Sequence, residues 1–203
     1  MHWSVIYPTC HHSSQNTTGL VTLVSTSVSK NKWKQIHMQS EDVTAVELCG
    51  DFGTVSFYNV YNACENSDTL SRLNDHWRLR HPPQQNGNNN SMVWVGDFNR
   101  HHPLWDDHNS THLFTPANLD AASVLIDLVE AFGMDMPLPA GVPTLETFRT
   151  RSLSRPDNIF CSTPLMQAFT ECQVKPELCL ARTDHFPVVG TLNLAPERSA
   201  PLV

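Results

Sequence analysis

The sequence lacks the cysteine spacing of a zinc-binding or disulfide-bonded protein. None of its six cysteines forms a C-x-x-C pair, which argues against a structural zinc site. The chain shows no signal peptide, so we expect neither a disulfide framework nor glycans at the sequons of Asn16, Asn89 and Asn109. The default expectation is an intracellular protein. The cysteines lie at positions 10, 49, 64, 161, 172 and 179.

The sequence also lacks an excess of basic residues. Its 13 Lys and Arg against 20 Asp and Glu give a net charge of −7, which argues against a generic basic surface for nucleic acid. An active site that meets phosphate through a divalent cation stays compatible, because the metal supplies positive charge. Hydrophobic residues at 40% and charged residues at 16% describe a globular protein that does not span a membrane. We expect one domain over 1–194, without internal repeats, and a tail over 195–203.

Strand-like runs dominate the N-terminal third. Residues 44–49 and 52–60 predict a hairpin whose two-residue turn is Gly50-Asp51. Residues 20–25 and 33–38 predict two further strands, joined by a turn at 29–31. We expect these strands to be antiparallel.

Two helices separate the remaining strands. Residues 67–80 place Leu70, Leu73 and Trp77 on one helical face behind a Ser67/Asp68 cap. Residues 118–132 predict the second helix, with Gly133 at its C-terminus and the apolar face Leu125, Leu128, Val129 and Phe132. Strands are predicted at 92–95, 157–161, 169–174 and 188–194, and an exposed loop at 82–91. Single helices between groups of strands indicate an α/β sandwich.

Polar clusters lie at the ends of three of these strands. They are GDFN at 96–99, RPDNIF at 155–160 and TDHFPV at 183–188. Loops at strand ends hold side chains on a rigid backbone, so we expect one pocket that contains Asp97, Asn99, Asp157, Asp184 and His185. Such a set suits phosphodiester hydrolysis. One carboxylate can activate water, another can bind a cation, and an imidazole can stabilise charge on the phosphoryl oxygens.

These motifs, in this order, resemble the later motifs of the endonuclease/exonuclease/phosphatase superfamily. GDFN-x-HHP-x-W at 96–105 is most similar to the endonuclease domain of non-LTR (LINE-like) retrotransposons and its fungal relatives. FYNVYN at 57–62 resembles the tyrosine motif of the superfamily, and the resemblance covers about residues 3–194. It implies a four-layer α/β sandwich of two mixed, mainly antiparallel sheets.

The resemblance also implies a role for each site residue. Asp97 would activate or position the attacking water, while Asn99 and Tyr61 would lie at the scissile phosphate. His185, oriented by Asp157, would stabilise the developing charge, and Asp184 would bind the metal. The cofactor would be Mg²⁺, or Mn²⁺ in its place. The expected function is DNA nicking by a monomer, in the nucleus, with a fused or neighbouring reverse transcriptase as a possible partner and no membrane.

The sequence departs from the family pattern at its N-terminus. Family members begin with a strand that carries a catalytic asparagine, then a helix, then a strand that ends in Gln-Glu, whose glutamate binds the metal. The present chain starts after that point, and Glu41 and Glu47 stand in the wrong context to replace the glutamate. We expect an N-terminally truncated domain with weakened metal binding and a partly uncovered sheet. The alternatives are an active nuclease, a catalytically inactive remnant or fragment of such a nuclease, and, less favoured, another phosphoesterase of the same superfamily.

Each site residue also has a purely structural interpretation. Asp97 and Asn99 could satisfy backbone donors in a turn, Asp157 could be a strand-edge acid, and His185 or Tyr61 could belong to the core. The adjacent pairs His11-His12 and His101-His102 do not present both rings to one ion, so zinc is not expected. His101, His102 and Trp105 are expected to shape the substrate rim, with Trp105 packing the loop rather than stacking on a base. A calcineurin-type phosphatase is disfavoured because no downstream GNH motif follows.

Overall fold

The computed structural model describes residues 2–11, 19–80 and 91–194. The two α-helices of these ranges are α1 (Asp68–Arg80) and α2 (Pro116–Ala131). The strands are β1 (Trp3–Ile6), β2 (Thr22–Ser25), β3 (Trp33–Ile36), β4 (Val43–Gly50), β5 (Gly53–Tyr61), β6 (Ser91–Asp97), β7 (Met134–Asp135), β8 (Leu145–Glu146), β9 (Leu153–Ser154), β10 (Asp157–Ser162), β11 (Phe169–Val174) and β12 (Val188–Leu192). Short 3-10 segments occur at Lys30–Lys32, Thr111–Leu113, Thr163–Ala168 and Pro176–Leu178.

A six-stranded sheet forms the centre of the fold, in the order β3-β4-β5-β6-β10-β7. The β5 and β6 strands are parallel, because α1 crosses between them, and the other neighbours are antiparallel. Three antiparallel two-stranded ladders, β1-β2, β8-β9 and β11-β12, accompany this sheet. The expectation of an α/β fold with mixed, mainly antiparallel sheets is confirmed.

Both faces of the central sheet carry apolar residues. The helical face is buried, whereas a cleft lined by Val46, Phe57 and Val93 leaves part of the other face open. Tyr58 and Trp94 point to the helical face, where the rings of Trp77 and Trp94 stack with their centroids 3.9 Å apart. Val93 and Ile159 point to the opposite face and pack against residues of the β11-β12 ladder. The described residues therefore supply three of the expected layers: helices, central sheet and ladders.

The predicted hairpin forms, but its turn lies one residue further on than predicted. Gly50 pairs with Gly53, which makes Asp51 and Phe52 the turn residues. Gly53 has a φ of 84°, the left-handed conformation that commonly follows such a turn and that glycine adopts without strain.

The prediction that residues 20–25 and 33–38 are strands joined by a turn is wrong in its pairing. β2 is shorter than predicted and pairs with β1, a strand that the sequence did not predict, whereas β3 pairs with β4 in the central sheet. Ser29 caps a short 3-10 segment between β2 and β3. The formation of such short strands depends on pairing with distant segments more than on their own periodicity, so the sequence pattern does not reveal their partners.

Both helices form with the predicted buried faces. Leu70, Leu73 and Trp77 are fully buried in α1, although its first turn is held by the Asn66 side chain, whose Oδ1 accepts from the Asp68 N–H. The α2 helix begins two residues earlier than predicted, because the Thr115 hydroxyl accepts from the Asn118 N–H.

Some predictions fall outside the described residues, namely the loop over 82–90, the sequons at Asn16 and Asn89, His12 and the tail over 195–203. The six cysteines are free thiols. In the described part of the chain, no helix is both long and apolar enough to cross a membrane.

Candidate active site

Three of the predicted site residues lie in one row across three adjacent strands. Tyr61, at the end of β5, is the parallel neighbour of Asp97, at the end of β6. Asp97 in turn pairs with Asp157, the first residue of β10. Strand register therefore sets a phenol and two carboxylates side by side at one edge of the sheet.

His185 joins this row from the segment that leads into β12. Its Nδ1 lies 2.8 Å from Asp157 Oδ2, and the Thr144 hydroxyl donates to the same oxygen at 2.8 Å. A bridge between His185 and Leu145 of β8 fixes the backbone on which the imidazole is carried. The Asp157 carboxylate is thus held by two donors and orients the histidine.

A glycine makes the close approach of β5 and β6 possible. Gly96 has a φ of 137°, and a Cβ at this position would lie 2.0 Å from the Val60 carbonyl oxygen. Immediately after it, Asp97 Oδ1 accepts from the Asn99 N–H at 3.0 Å, and Asn99 itself has a φ of 50°. The Asn99 side chain donates to the Asn62 carbonyl at 3.0 Å. The turn interpretation of GDFN is therefore correct as far as it goes, and the same turn presents Asp97 to the site.

The electrostatics of the row suit proton transfer. Burial, followed by the charge of Asp157, raises the pKa of Asp97 to about 6. The hydrogen bond to Asp157 raises the pKa of His185 above its ordinary value. Burial and the nearby Asp97 charge also raise the pKa of Tyr61. A carboxylate with a pKa near neutrality can accept a proton, and a protonated imidazole beside it can stabilise negative charge.

The same residues form a candidate cation site. One ligand atom each of Asp97, Asp157 and His185 lies within 4.8 Å of the others. His185 Nδ1 and Asp157 Oδ2 already share a hydrogen bond. The oxygens left to coordinate a cation are therefore those of the Asp97 carboxylate and the second oxygen of Asp157. Such oxygen donors fit Mg²⁺. Asp184, the predicted metal ligand, is not a member of this group, although its charge contributes to the raised pKa of His185.

The residues of the predicted substrate rim differ in their burial. Trp105 is 2% exposed, and its indole N–H donates to the Arg100 carbonyl at 2.8 Å, so it belongs to the core and not to the rim. His101 and His102 remain partly exposed, and His101 Nδ1 lies 3.3 Å from the buried Asp106 carboxylate. The preference for packing over stacking at Trp105 is confirmed.

Two buried arginines support the site and were not predicted. The Arg100 guanidinium donates to the Ala121 carbonyl at 3.0 Å and to several carbonyls of the loop before α1. The Arg155 guanidinium donates to Asn158 Oδ1 and to carbonyls of the segment before β8, and burial lowers its pKa to about 10. Arg100 directly follows the GDFN motif and Arg155 is the first residue of the RPDNIF motif, and these positions were the available signal.

Comparison with known proteins gives one family match. The family model described as endonuclease-reverse transcriptase matches residues 55–189, which include Tyr61, Asp97, Asp157 and His185. No curated protein sequence matches the chain significantly.

Solved structures share the fold at low sequence identity. The endonuclease domain of TRAS1, a telomere-specific non-LTR retrotransposon, has a TM-score of 0.69 at 17% identity, covering 95% of this chain and 80% of its own. The 3′ phosphatase NExo from Neisseria, bound to a product DNA hairpin, has a TM-score of 0.64 at 22% identity, with 94% and 79% covered. An AP endonuclease from Archaeoglobus fulgidus has a TM-score of 0.53 at 18% identity, with 77% and 68% covered.

Proposed function

The chain belongs to the endonuclease-reverse transcriptase family, and from that premise we propose that it is a divalent-cation-dependent endonuclease that nicks DNA. Membership places it among homologues that are hydrolases of the endonuclease/exonuclease/phosphatase superfamily. The choice of DNA as substrate, the metal requirement and the nicking reaction are the proposed parts.

The observation that carries the proposal is the row of Tyr61, Asp97 and Asp157 with His185 hydrogen-bonded at its end. Asp97 accepts a proton from water as the water oxygen attacks the scissile phosphorus and the bond to the leaving oxygen breaks. The His185 imidazolium, held by Asp157, donates to a phosphoryl oxygen as negative charge develops there. Tyr61 lies next to Asp97, and its hydroxyl donates a hydrogen bond to the same phosphate.

The carboxylates of Asp97 and Asp157 would hold the cation. A bound Mg²⁺ or Mn²⁺ supplies Lewis-acid stabilisation of phosphoryl charge. It also supplies the positive charge that this acidic chain needs in order to meet a phosphodiester, since the net charge is −7. Asp184 remains a proposed contributor to the metal site.

DNA is the proposed substrate for two reasons. The TRAS1 domain is an endonuclease of a retrotransposon, and the NExo structure contains a DNA hairpin. In the present chain, the hairpin of β8 and β9 is tied to His185 and carries the exposed Arg149 and Arg151 at its tip. Arg151 Nη1 lies 3.4 Å from Glu146 Oε2, so among the described residues Arg149 supplies the unpaired positive charge at this tip. From the likeness to a retrotransposon endonuclease we also propose that the protein acts in the nucleus as a monomer, together with a fused or separately encoded reverse transcriptase.

The proposal is tested by conversion of supercoiled plasmid to the nicked form. We expect nicking with Mg²⁺ or Mn²⁺, none with EDTA, and a loss of about a hundredfold or more in His185→Ala. His112→Ala is the matched control, because His112 is exposed in the Thr111–Leu113 segment and should leave the rate unchanged. Nicking that persists in EDTA would refute the metal requirement. A folded wild-type protein that never nicks would show that the chain is a non-catalytic member of the family.

A further inference from the structure

We propose that His101, oriented by the buried carboxylate of Asp106, binds the phosphate next to the scissile one, so that the site takes a nucleic acid strand with consecutive phosphates. This inference rests on the proposed function and extends it from the reacting bond to the length of substrate that the site recognises. It assigns His101 as a substrate-binding residue and Asp106 as its positioning residue.

Asp106 is built to hold another group rather than to meet substrate itself. It is 1% exposed. One of its oxygens accepts from the His102 N–H at 3.0 Å and lies 3.3 Å from His101 Nδ1, and the other accepts from the Arg155 N–H at 2.8 Å. A carboxylate with these partners is immobile, because any rotation breaks a buried hydrogen bond.

This arrangement fixes which side of the His101 ring is available to a ligand. Nδ1 faces Asp106, and the side chain keeps 25% of its surface exposed. With Nδ1 turned to Asp106, Nε2 is the ring nitrogen that can meet a ligand, and in a complex with phosphate both nitrogens would donate. A phosphate oxygen is the partner that completes this chain of charge-assisted hydrogen bonds.

The His101–Asp106 pair repeats the design of His185 and Asp157. In both pairs Nδ1 of a partly exposed histidine faces a carboxylate oxygen, at 3.3 Å in one and 2.8 Å in the other. In both pairs the carboxylate has a second donor within the protein, which is Thr144 in the case of Asp157. The chain therefore carries two imidazoles with fixed orientations, although hydrolysis of one phosphodiester uses one.

Asp106 ties His101 to the segment that carries Asp157, because the same carboxylate accepts from the backbone N–H of Arg155, two residues before Asp157. Asp97, Asn99 and His101 are partly exposed, whereas Phe98 and Arg100 between them are buried at 0% and 3% exposure. Two residues of extended chain span at most about 7 Å. The Cα atoms of His101 and Asn99 are therefore at most about 7 Å apart, and Arg155, which holds Asp106, is equally close to Asp157 along the chain.

The backbone at His101 is held in place from both sides. The Arg100 guanidinium is fixed by carbonyls of Ala121, Ala63 and Cys64. The Arg100 carbonyl accepts from the Trp105 indole N–H at 2.8 Å. Because the loop is anchored, His101 does not have to be ordered when substrate binds, which makes its contact with phosphate effective.

The experiment compares a DNA duplex with bis(p-nitrophenyl) phosphate, a diester that contains one phosphate. In His101→Ala, kcat/KM should fall about tenfold more on DNA than on the diester, mainly through KM. Asp106→Asn should shift the same ratio in the same direction, and His101→Lys should restore part of the KM for DNA because it returns a cation. His112→Ala is the control and should change neither substrate. Urea unfolding of each variant checks that the fold is retained.

Failure of this inference and failure of the proposed function give different results. Equal losses on both substrates in His101→Ala, or no loss on DNA, would overturn the inference while nicking by the wild type upholds the function. If the wild type hydrolyses neither substrate, the proposed function fails, and binding of a fluorescent DNA duplex by anisotropy decides the inference. A tenfold weaker Kd in His101→Ala than in His112→Ala would then support it, and equal values would refute it.

Discussion

Asp97 and Asp157 are directly paired residues of neighbouring antiparallel strands, β6 and β10. Like charges at paired positions destabilise a sheet, and here they contribute to a pKa of about 6 at Asp97. A fold selected for stability alone would not place two carboxylates in this register. The pair is the feature from which the proposed chemistry follows, because it sets two carboxylates side by side where Asp97 can accept a proton and both can hold a cation.

Replacing Asp97 by asparagine should stabilise the protein. Since the pKa of Asp97 is raised on folding, the folded state binds more protons, and the free energy of unfolding falls as pH rises from about 4 through about 6. Asp97→Asn removes this destabilisation and keeps the acceptor for the Asn99 N–H. We expect a gain of about 1–2 kcal/mol at pH 7.5, after allowance for solvent screening and for the missing attraction to His185.

Urea unfolding at pH 4 and pH 7.5 measures this gain. Asp127→Asn, at an exposed position of α2, is the matched control and should change the stability by less than about 0.5 kcal/mol. An Asp97→Asn protein that is less stable than the wild type at pH 7.5 would contradict the account of Asp97 as a strained carboxylate.

Replacing Asp157 by asparagine should move the alkaline limb of the pH–rate profile to lower pH. The hydrogen bond to Asp157 raises the pKa of His185, so the imidazolium persists above pH 6.5 in the wild type. The same shift makes His185 stabilise the fold below pH 6.5, and this contribution disappears as pH rises through the raised pKa. Loss of the carboxylate charge lowers that pKa, and the active protonated fraction then falls at a lower pH.

The pH dependence of nicking at saturating DNA tests this relationship. Asp135→Asn, in β7 of the same sheet, removes a charge away from the row and should leave the profile in place. An unshifted alkaline limb in Asp157→Asn would show that His185 does not act as the imidazolium.

Two glycines with positive φ should respond very differently to alanine. At Gly96 a Cβ would lie 2.0 Å from the Val60 carbonyl, so β5 and β6 could not pair and we expect a loss of about 3 kcal/mol or more. At Gly133, with a φ of 57°, nothing lies within 4 Å of the added Cβ, and the loss should be about 1 kcal/mol. Urea midpoints and soluble yields of both variants give the comparison. Similar losses would mean that backbone conformation, and not the contact with Val60, dictates Gly96.

Neutralising Arg149 and Arg151 together should weaken DNA binding in a salt-dependent way. Both are exposed between β8 and β9, and the slope of log Kd against log salt should fall by about one for each of the two arginines that contacts a phosphate. The double variant Lys30→Ala/Lys32→Ala removes the same charge from an exposed segment at the other end of the chain. Anisotropy titrations at several salt concentrations should show the change in the first pair and not in the second. Equal slopes in both would place the DNA-binding surface elsewhere.

The sequence predicted which residues form the site better than it predicted how the strands that carry them pair. Polar clusters at strand ends correctly brought Asp97, Asp157 and His185 together, because the end of a strand is a local feature of the sequence. The register that pairs Asp97 with Asp157 depends on the contact between β6 and β10, which lie about 60 residues apart, and no local pattern specifies it.

Residues that contradict the usual burial of their type were the ones missed. Arg100 and Arg155 are buried, although arginine is mostly exposed in proteins, because each guanidinium satisfies several loop carbonyls. The sequence predicts that Trp105 packs the loop at the rim; the packing is confirmed, but the indole N–H donates to the Arg100 carbonyl and the ring is buried rather than at the rim. Side-chain partners of this kind arise from tertiary structure, and they decide which residues of a motif face the substrate.

The most direct measurement is the rate at which wild type and Asp97→Asn convert supercoiled plasmid to nicked circles in Mg²⁺ at pH 7.5, with both proteins shown to be folded. The account predicts nicking by the wild type and a rate lower by about a hundredfold or more in the variant, because the proton acceptor and one cation-holding carboxylate are lost while the fold is stabilised. Equal rates in the two proteins would contradict the central role assigned to Asp97.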